Sequence, residues 1–120
     1  MSMLQGEKPN LGFCVMATLK RVLNAKALKQ ASVLEQVMQG VASQTGLTVV
    51  NSQRHQFEPE GASVCLLLSE SHFACHTWPE HSSATVHIYT CCEPGKAVAA
   101  LRNFCTAMSC NIVKSTEFTH

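Results

Sequence analysis

Apolar residues recur at steps of three and four positions in two parts of the chain. The first part runs from Ala25 to Ala42 and stops before Gly46, and the second follows Glu93–Pro94–Gly95. Such spacing gives a helix one apolar face, and Pro is common at helix starts and Gly just beyond helix ends. The pattern therefore predicts one helix over 25–42 and a second that begins after residue 95.

Short β-branched or alternating runs lie between and around these helices. They span 12–19, 47–51, 62–69, 72–78, 84–91 and 111–118. Turn-forming residues at 59–61 and 79–83 separate the middle runs, so we expect these strands to follow one another in antiparallel order. The predicted fold class is α+β, a two-layer sandwich in which an antiparallel β-sheet carries two helices on one face. A second copy of the chain, packed sheet to sheet in a dimer, would cover the other face.

Length and charge restrict the possible functions. The chain has 120 residues, of which 46% are hydrophobic and 14% charged, enough for a single domain over 1–120 with one core. A formal net charge of +1 without a block of like charges argues against nucleic acid or an anionic membrane as a partner. Residues 1–10 are polar, and no run approaches the roughly 18 apolar residues of a membrane span, so we expect a cytoplasmic protein.

Seven cysteines are many for this length. Their number is odd, two of them are adjacent and no C-x-x-C spacing occurs, which argues against a disulfide framework. We expect most to be reduced, buried and small apolar residues. This expectation applies to Cys14, Cys65, Cys75, Cys105 and Cys110, and a packing role is also expected for Cys92.

Reactive side chains concentrate between residues 69 and 80 and at 90–92. His72 and His76 would share one face of a strand with Cys91 nearby, which leaves a zinc site open, although the usual structural-zinc spacing is missing. His76 and Cys91 could also form the nucleophilic pair of a thiol hydrolase, although no thiol-protease signature surrounds either residue. Residue types alone do not decide between these sites.

An ordered set of motifs across the central third of the chain indicates which site is present. The motifs are, in order, Phe57–Glu58–Pro59–Glu60–Gly61–Ala62–Ser63, Glu70–Ser71–His72, His76–Thr77–Trp78–Pro79–Glu80 and Thr90–Cys91. In these motifs the chain resembles the prokaryotic S-adenosylmethionine decarboxylase proenzymes, and the predicted order of helices and strands is similar to that family too. The resemblance implies a homodimer in which both chains help to build each active site.

The resemblance also implies that the chain cuts itself at the Glu70–Ser71 bond, into segments 1–70 and 71–120. A hydroxyl on a tight turn can attack the preceding carbonyl, and the resulting ester permits β-elimination. Residue 71 then loses ammonia and becomes an N-terminal pyruvoyl group, so Ser71 would be the source of the only cofactor, and no metal is implied. Ser63 would assist through a hydrogen bond and His76 as the acid/base residue.

In this family the pyruvoyl group takes the place of pyridoxal phosphate in accepting electrons as the amino-acid carboxylate leaves as carbon dioxide. Cys91 matches the general acid that returns a proton. Phe57 matches the adenine-stacking aromatic residue, with His76 on the other side of the base. Glu80 would accept the ribose hydroxyls and Trp78 would face the sulfonium. The product would be the aminopropyl donor for spermidine synthesis.

Two departures from the family pattern leave alternatives open. Segment 12–24 does not match the usual first strand, and His87 stands where Asp is usual. The substrate could then be arginine or ornithine, whose distal cation would pair with Glu58, Glu60 or Glu80. The chain could also be an uncleaved, inactive relative that acts as a binding or dimerisation partner. The retained aromatic and acidic pocket residues favour S-adenosylmethionine.

Overall fold

The computed structural model describes residues 11–91 and 93–120, where six strands form one sheet and three α-helices pack on it. The expectations for segment 1–10 and for Cys92 lie outside the described residues. The strands are β1 (Phe13–Lys20), β2 (Val49–Gln56), β3 (Ala62–Leu68), β4 (Ser71–Trp78), β5 (Ser83–Thr90) and β6 (Asn111–Thr119). The helices are α1 (Ala25–Lys29), α2 (Ala31–Gln44) and α3 (Pro94–Met108), and a short 3-10 turn, Pro79–His81, precedes β5.

The strands lie in the order β2-β3-β4-β5-β1-β6, and every neighbouring pair is antiparallel. Strands β2 to β5 form the predicted meander, and β1 lies between β5 and β6. The register places Ser63 of β3 opposite His76 of β4, and His72 of β4 opposite Tyr89 of β5. These cross-strand pairs determine which side chains meet on each face of the sheet.

One face of the sheet forms the core with the helices. Alternate strand residues and one stripe of each helix supply the buried side chains, as their periods of 2 and 3.6 residues require. The largest fully buried ones include Val15, Leu19, Val64, Leu66, Phe73, Val86 and Ile88 from the strands and Leu34, Met38, Phe104 and Met108 from the helices. Phe73 and Phe104 join the two layers edge to face, with ring centroids 5.3 Å apart. The predicted two-layer α+β architecture is confirmed.

The helix predicted over 25–42 is in fact two helices. Gln30 has extended φ and ψ of −118° and 118°, so α1 ends at Lys29 and α2 begins at Ala31. The apolar spacing continues across the break, which is why the pattern did not reveal it. The sheet therefore carries three helices instead of two. Within the described residues, none of them is long and apolar enough to cross a membrane.

Strand β2 is longer than the predicted 47–51 and ends at Gln56. Its second half is polar and largely exposed because β2 is an edge strand, so it carries no alternation of apolar residues. The burial of the cysteines differs from expectation as well. Cys75 is buried and Cys14, Cys105 and Cys110 are partly buried, but Cys65 is exposed because it points away from the helices.

The face opposite the helices, which we call the open face, bears no helix among the described residues. On it the central strands β1, β3, β4 and β5 carry Cys14, Met16, Thr18, Ser63, Cys65, Leu67, His72, Ala74, His76, Thr85, His87 and Tyr89. This set contains no Lys, Arg, Asp or Glu, and Lys20 follows only at the end of β1. Depletion of charge is typical of the centre of a protein interface.

Thr77 is a buried polar link between the sheet and the helix layer. Its hydroxyl accepts a hydrogen bond from the Ala62 N–H at 2.8 Å and donates one to the Leu28 carbonyl at 2.7 Å. We expect Thr77→Val to lower the free energy of unfolding by about 2 kcal/mol, because it leaves two buried backbone groups without these bonds. Urea unfolding measures the loss.

The matched control is Thr116→Val on the exposed strand β6, which should change the unfolding free energy by less than about 0.5 kcal/mol. Equal stabilities for the two variants would show that the Thr77 bonds do not hold the layers together.

Candidate functional site

Strand β4 carries candidate site residues at both of its ends. Ser71 is its first residue and Trp78 its last. With a rise of about 3.3 Å per residue, Ser71 and His76 lie about 16 Å apart. The predicted site residues therefore separate into two groups within one chain. The cleavage end consists of Glu70, Ser71 and Cys91, and the pocket end consists of Phe57, Ser63, His76, Trp78 and Glu80.

At the cleavage end, the two-residue turn Ser69–Glu70 joins β3 to β4. Glu70 has a φ of 63°, in the left-handed region that costs a non-glycine residue about 1 kcal/mol or more. The Glu70–Ser71 peptide bond follows directly. The sequence motif marks this bond for cleavage, and the residue before it has a strained backbone conformation.

Ser71 and Cys91 meet at this turn because β4 and β5 are neighbours in the sheet. The Cys91 N–H donates to Ser71 Oγ at 3.2 Å, and the Cys91 thiol donates to Glu70 Oε1 at 3.1 Å. A backbone N–H in this position stabilises negative charge as it develops on Oγ. The Glu70 carboxylate holds the thiol close to the scissile bond.

A cavity of about 270 Å³ opens beside the scissile bond, towards the start of α3. Its lining includes Glu70, Ser71, Cys91 and Lys96. The Lys96 ammonium lies 3.6 Å from the Glu93 carboxylate at the helix start. Lys96 belongs to none of the sequence motifs, so nothing in the sequence indicated that it borders this cavity.

The pocket end surrounds a second cavity of about 320 Å³. All of the residues predicted to contact the nucleoside line it, namely Phe57, His76, Trp78 and Glu80, together with Ser63, Glu60, Gly61, Thr77 and Pro79. The Phe57 and Trp78 side chains are 46% and 43% exposed. The cavity thus presents two large aromatic surfaces that a ligand can cover.

Ser63 and His76 form a hydrogen-bonded pair in this cavity. They are opposite each other on β3 and β4, and Ser63 Oγ lies 2.7 Å from His76 Nδ1. This bond engages one ring nitrogen and leaves Nε2 to exchange a proton with a reacting group. The pair has the geometry of an acid/base residue oriented by a hydroxyl.

The geometry of a single chain supports neither of the two alternative sites. His72 and His76 share the open face but lie about 13 Å apart along β4. Cys91 lies at the opposite end of that strand from His76. Within residues 11–91 and 93–120, no cluster of three side chains could hold a metal ion.

Comparison with known proteins gives a family match. The family model described as S-adenosylmethionine decarboxylase matches residues 14–119. The chain belongs to the S-adenosylmethionine decarboxylase family. The S-adenosylmethionine decarboxylase proenzymes of Aquifex aeolicus and of a Hydrogenobaculum species are 37% and 35% identical to it over 99 residues. Each match covers 82% of this chain and 73% of the relative.

The crystal structure of the adenosylmethionine decarboxylase from Aquifex aeolicus has the same fold. It matches with a TM-score of 0.81 at 32% identity, covering 94% of this chain and 91% of that one. The family resemblance in the central motifs is confirmed. The family match begins at residue 14, so it includes most of the divergent segment 12–24. The family match therefore includes strand β1 from Cys14 onwards as well as the central motifs.

The pH dependence of stability should report on His72, which stacks on Tyr89 with ring centroids 5.5 Å apart. Burial lowers the pKa of the His72 imidazole, and the nearby His87 lowers it further. In the unfolded chain the His72 pKa is near 6.5, so the unfolded chain binds a proton at His72 more readily than the folded chain does. The free energy of unfolding should therefore fall as the pH drops through about 6.5.

We expect His72→Phe to reduce the difference in unfolding free energy between about pH 7.5 and about pH 5.5. His81→Asn, at an exposed position, should keep the wild-type difference. An unchanged difference in His72→Phe would mean that another group causes the acid sensitivity.

Proposed function

We propose that the chain cuts itself at the Glu70–Ser71 bond and then decarboxylates S-adenosylmethionine. The observation that carries this proposal is the division of the family motif between two cavities. One surrounds the scissile bond, and the other presents the aromatic, hydroxyl and carboxylate groups that suit a nucleoside. The relatives are named as proenzymes, which agrees with a chain made as a precursor.

In the cleavage, Ser71 is the nucleophile. Its Oγ attacks the carbonyl carbon of Glu70 and its proton passes to the amide nitrogen, so that an ester replaces the amide. In the β-elimination that follows, a base removes the Cα proton of residue 71 and the Cβ–Oγ bond breaks. Segment 1–70 leaves with the Glu70 carboxylate, and the dehydroalanine at position 71 takes up water and releases ammonia. The left-handed conformation of Glu70 favours the first step. The hydrogen bond from the Cys91 N–H to Oγ favours the elimination, in which Oγ leaves as an oxygen of the Glu70 carboxylate.

The residues at the cleavage end fit the pyruvoyl group that this sequence of steps leaves on segment 71–120. Residue 71 borders a cavity, with a thiol and a backbone N–H of Cys91 beside it. When formed, the group supplies a carbonyl that accepts electrons as carbon dioxide leaves. The Cys91 side chain lies beside residue 71, in the position that a general acid requires.

The pocket end supplies contacts for the rest of the substrate. Phe57 and Trp78 offer aromatic faces that can stack on adenine or contact the sulfonium cation. Glu80 can accept hydrogen bonds from two ribose hydroxyls through its carboxylate. Arginine and ornithine have no aromatic base to cover these rings, so this lining favours the nucleoside substrate.

A second copy of the chain would bring the two ends together. Within one chain His76 lies far beyond hydrogen-bond reach of Ser71. If two sheets pack through their open faces about a two-fold axis perpendicular to the strands, the pocket end of one chain lies over the cleavage end of the other. Apart from Lys20, the open-face residues of the central strands include no Lys, Arg, Asp or Glu, which supports the burial of this part of the face. We therefore propose a homodimer with two composite sites.

The mass of the denatured protein tests the proposed cleavage. We expect two fragments, 1–70 and 71–120, with the second lighter by one ammonia than hydrolysis would leave it. Ser71→Ala should stay uncut and release no carbon dioxide from S-adenosylmethionine, because it has neither the nucleophile nor the leaving group. Ser69→Ala, in the same turn, is the control and should be cut.

A wild-type chain that remains intact would contradict the proposal and favour the inactive relative. If cut protein released carbon dioxide from arginine or ornithine and not from S-adenosylmethionine, the proposed cleavage would be confirmed and the proposed substrate would be wrong.

A further inference from the structure

Gln56, the last residue of β2, reaches the break between α1 and α2. Its Oε1 accepts a hydrogen bond from the Ala31 N–H at 2.7 Å. Its Nε2 donates to three carbonyl oxygens, those of Lys29 at 2.8 Å, Gly61 at 2.9 Å and Phe57 at 3.0 Å. An amide group has one acceptor oxygen and two N–H donors, so one N–H is shared between two of the three carbonyl oxygens.

These bonds tie the loop over 57–61 to the helix layer. Gln30 provides no side-chain cap for α2, and the amide oxygen of Gln56 takes that role. The loop is closed by the Phe57 N–H, which donates to the Gly61 carbonyl at 2.9 Å, and the Gly61 N–H donates to the Lys29 carbonyl at 3.1 Å. The helix break is thus the support of the loop that carries Phe57.

We propose that Gln56 is a positioning residue for substrate binding, because it holds Phe57 in the orientation that stacks on the nucleoside base. The inference rests on the proposed function, since it takes the pocket end to be the nucleoside site. Gln56 is not in the lining of the cavity, so it acts through Phe57 and Gly61. A loop that is ordered before the ligand arrives avoids an entropic cost on binding.

The Lys29–Glu60 ion pair, at 3.6 Å, also connects this loop to α1. Its side chains are 52% and 41% exposed, and exposed pairs contribute little. The hydrogen bonds of Gln56 therefore hold this loop more firmly than the ion pair does.

Two substitutions separate positioning from general stability. Gln56→Met keeps the length of the side chain and removes every hydrogen bond. Gln56→Lys offers three N–H donors to the three carbonyl oxygens but cannot accept from the Ala31 N–H. The Lys variant should therefore lose stability and keep the loop in place, whereas the Met variant should lose both.

Trp78 makes the test direct, because it is the only tryptophan in the sequence and lies in the pocket lining. The probe is methylthioadenosine, a thioether nucleoside without the amino-acid group, and its binding is followed by Trp78 fluorescence. We expect the Kd to rise roughly tenfold in Gln56→Met and to stay within about twofold of wild type in Gln56→Lys. Gln36→Met, at an exposed position of α2, is the matched control and should bind as wild type does.

With S-adenosylmethionine as substrate, KM should rise in Gln56→Met while kcat changes little, as expected when a binding interaction that is equal in the ground and transition states is lost. Wild-type affinity in Gln56→Met would overturn the inference, and so would a tenfold loss in Gln56→Lys. If the Met variant does not fold, a tenfold loss of affinity in Gln56→Lys still overturns the inference.

The two proposals fail in different ways. Wild-type protein that binds the nucleoside but is never cut contradicts the proposed function and leaves the role of Gln56 intact if the variants behave as expected. Wild-type protein that is cut and active, with normal nucleoside binding in Gln56→Met, contradicts only the role of Gln56. Absence of any Trp78 response in wild type overturns the inference.

Discussion

An extended strand cannot bring its own ends together, and this constraint on β4 governs the proposed mechanism. Ser71 begins the strand and His76 follows five residues later, so the rise of the strand keeps them about 16 Å apart. The chain has a cavity at each of these places. In the proposed dimer, a two-fold axis reverses the direction of the partner's β4. The start of β4 in one chain then lies near the pocket end of the other chain.

Strand pairing places different chemical groups at the two ends of β4. At the cleavage end, the pairing of β4 with β5 brings the Cys91 N–H to Ser71 Oγ, and the tight turn forces Glu70 into a left-handed conformation. At the pocket end, the pairing of β3 with β4 sets Ser63 opposite His76. Ser63, Ser71 and His76 thus lie on strands, and Cys91 directly follows β5. Phe57, by contrast, lies on a loop that depends on other contacts for its position.

Local periodicity in the sequence predicted much of the fold. The ordered motifs predicted the family. The alternation in β3 to β5 gave the antiparallel meander, and the motif from Phe57 to Cys91 gave the family, as the comparisons confirm. The break at Gln30 was not predictable, because the side chain that caps α2 lies 25 residues away at Gln56. Nor did the motif reveal the two cavities, because the lining of each comes from segments that are distant in sequence.

Co-expression of two inactive chains tests the composite site most directly. One chain carries His76→Ala and keeps Ser71, and the other carries Ser71→Ala and keeps His76, with different tags so that mixed dimers can be isolated. Our account predicts that the His76→Ala chain stays uncut alone and is cut at Glu70–Ser71 in the mixed dimer, as the mass of the denatured chains would show. A His76→Ala chain that remains uncut in mixed dimers, or that is cut equally well alone, would contradict the account.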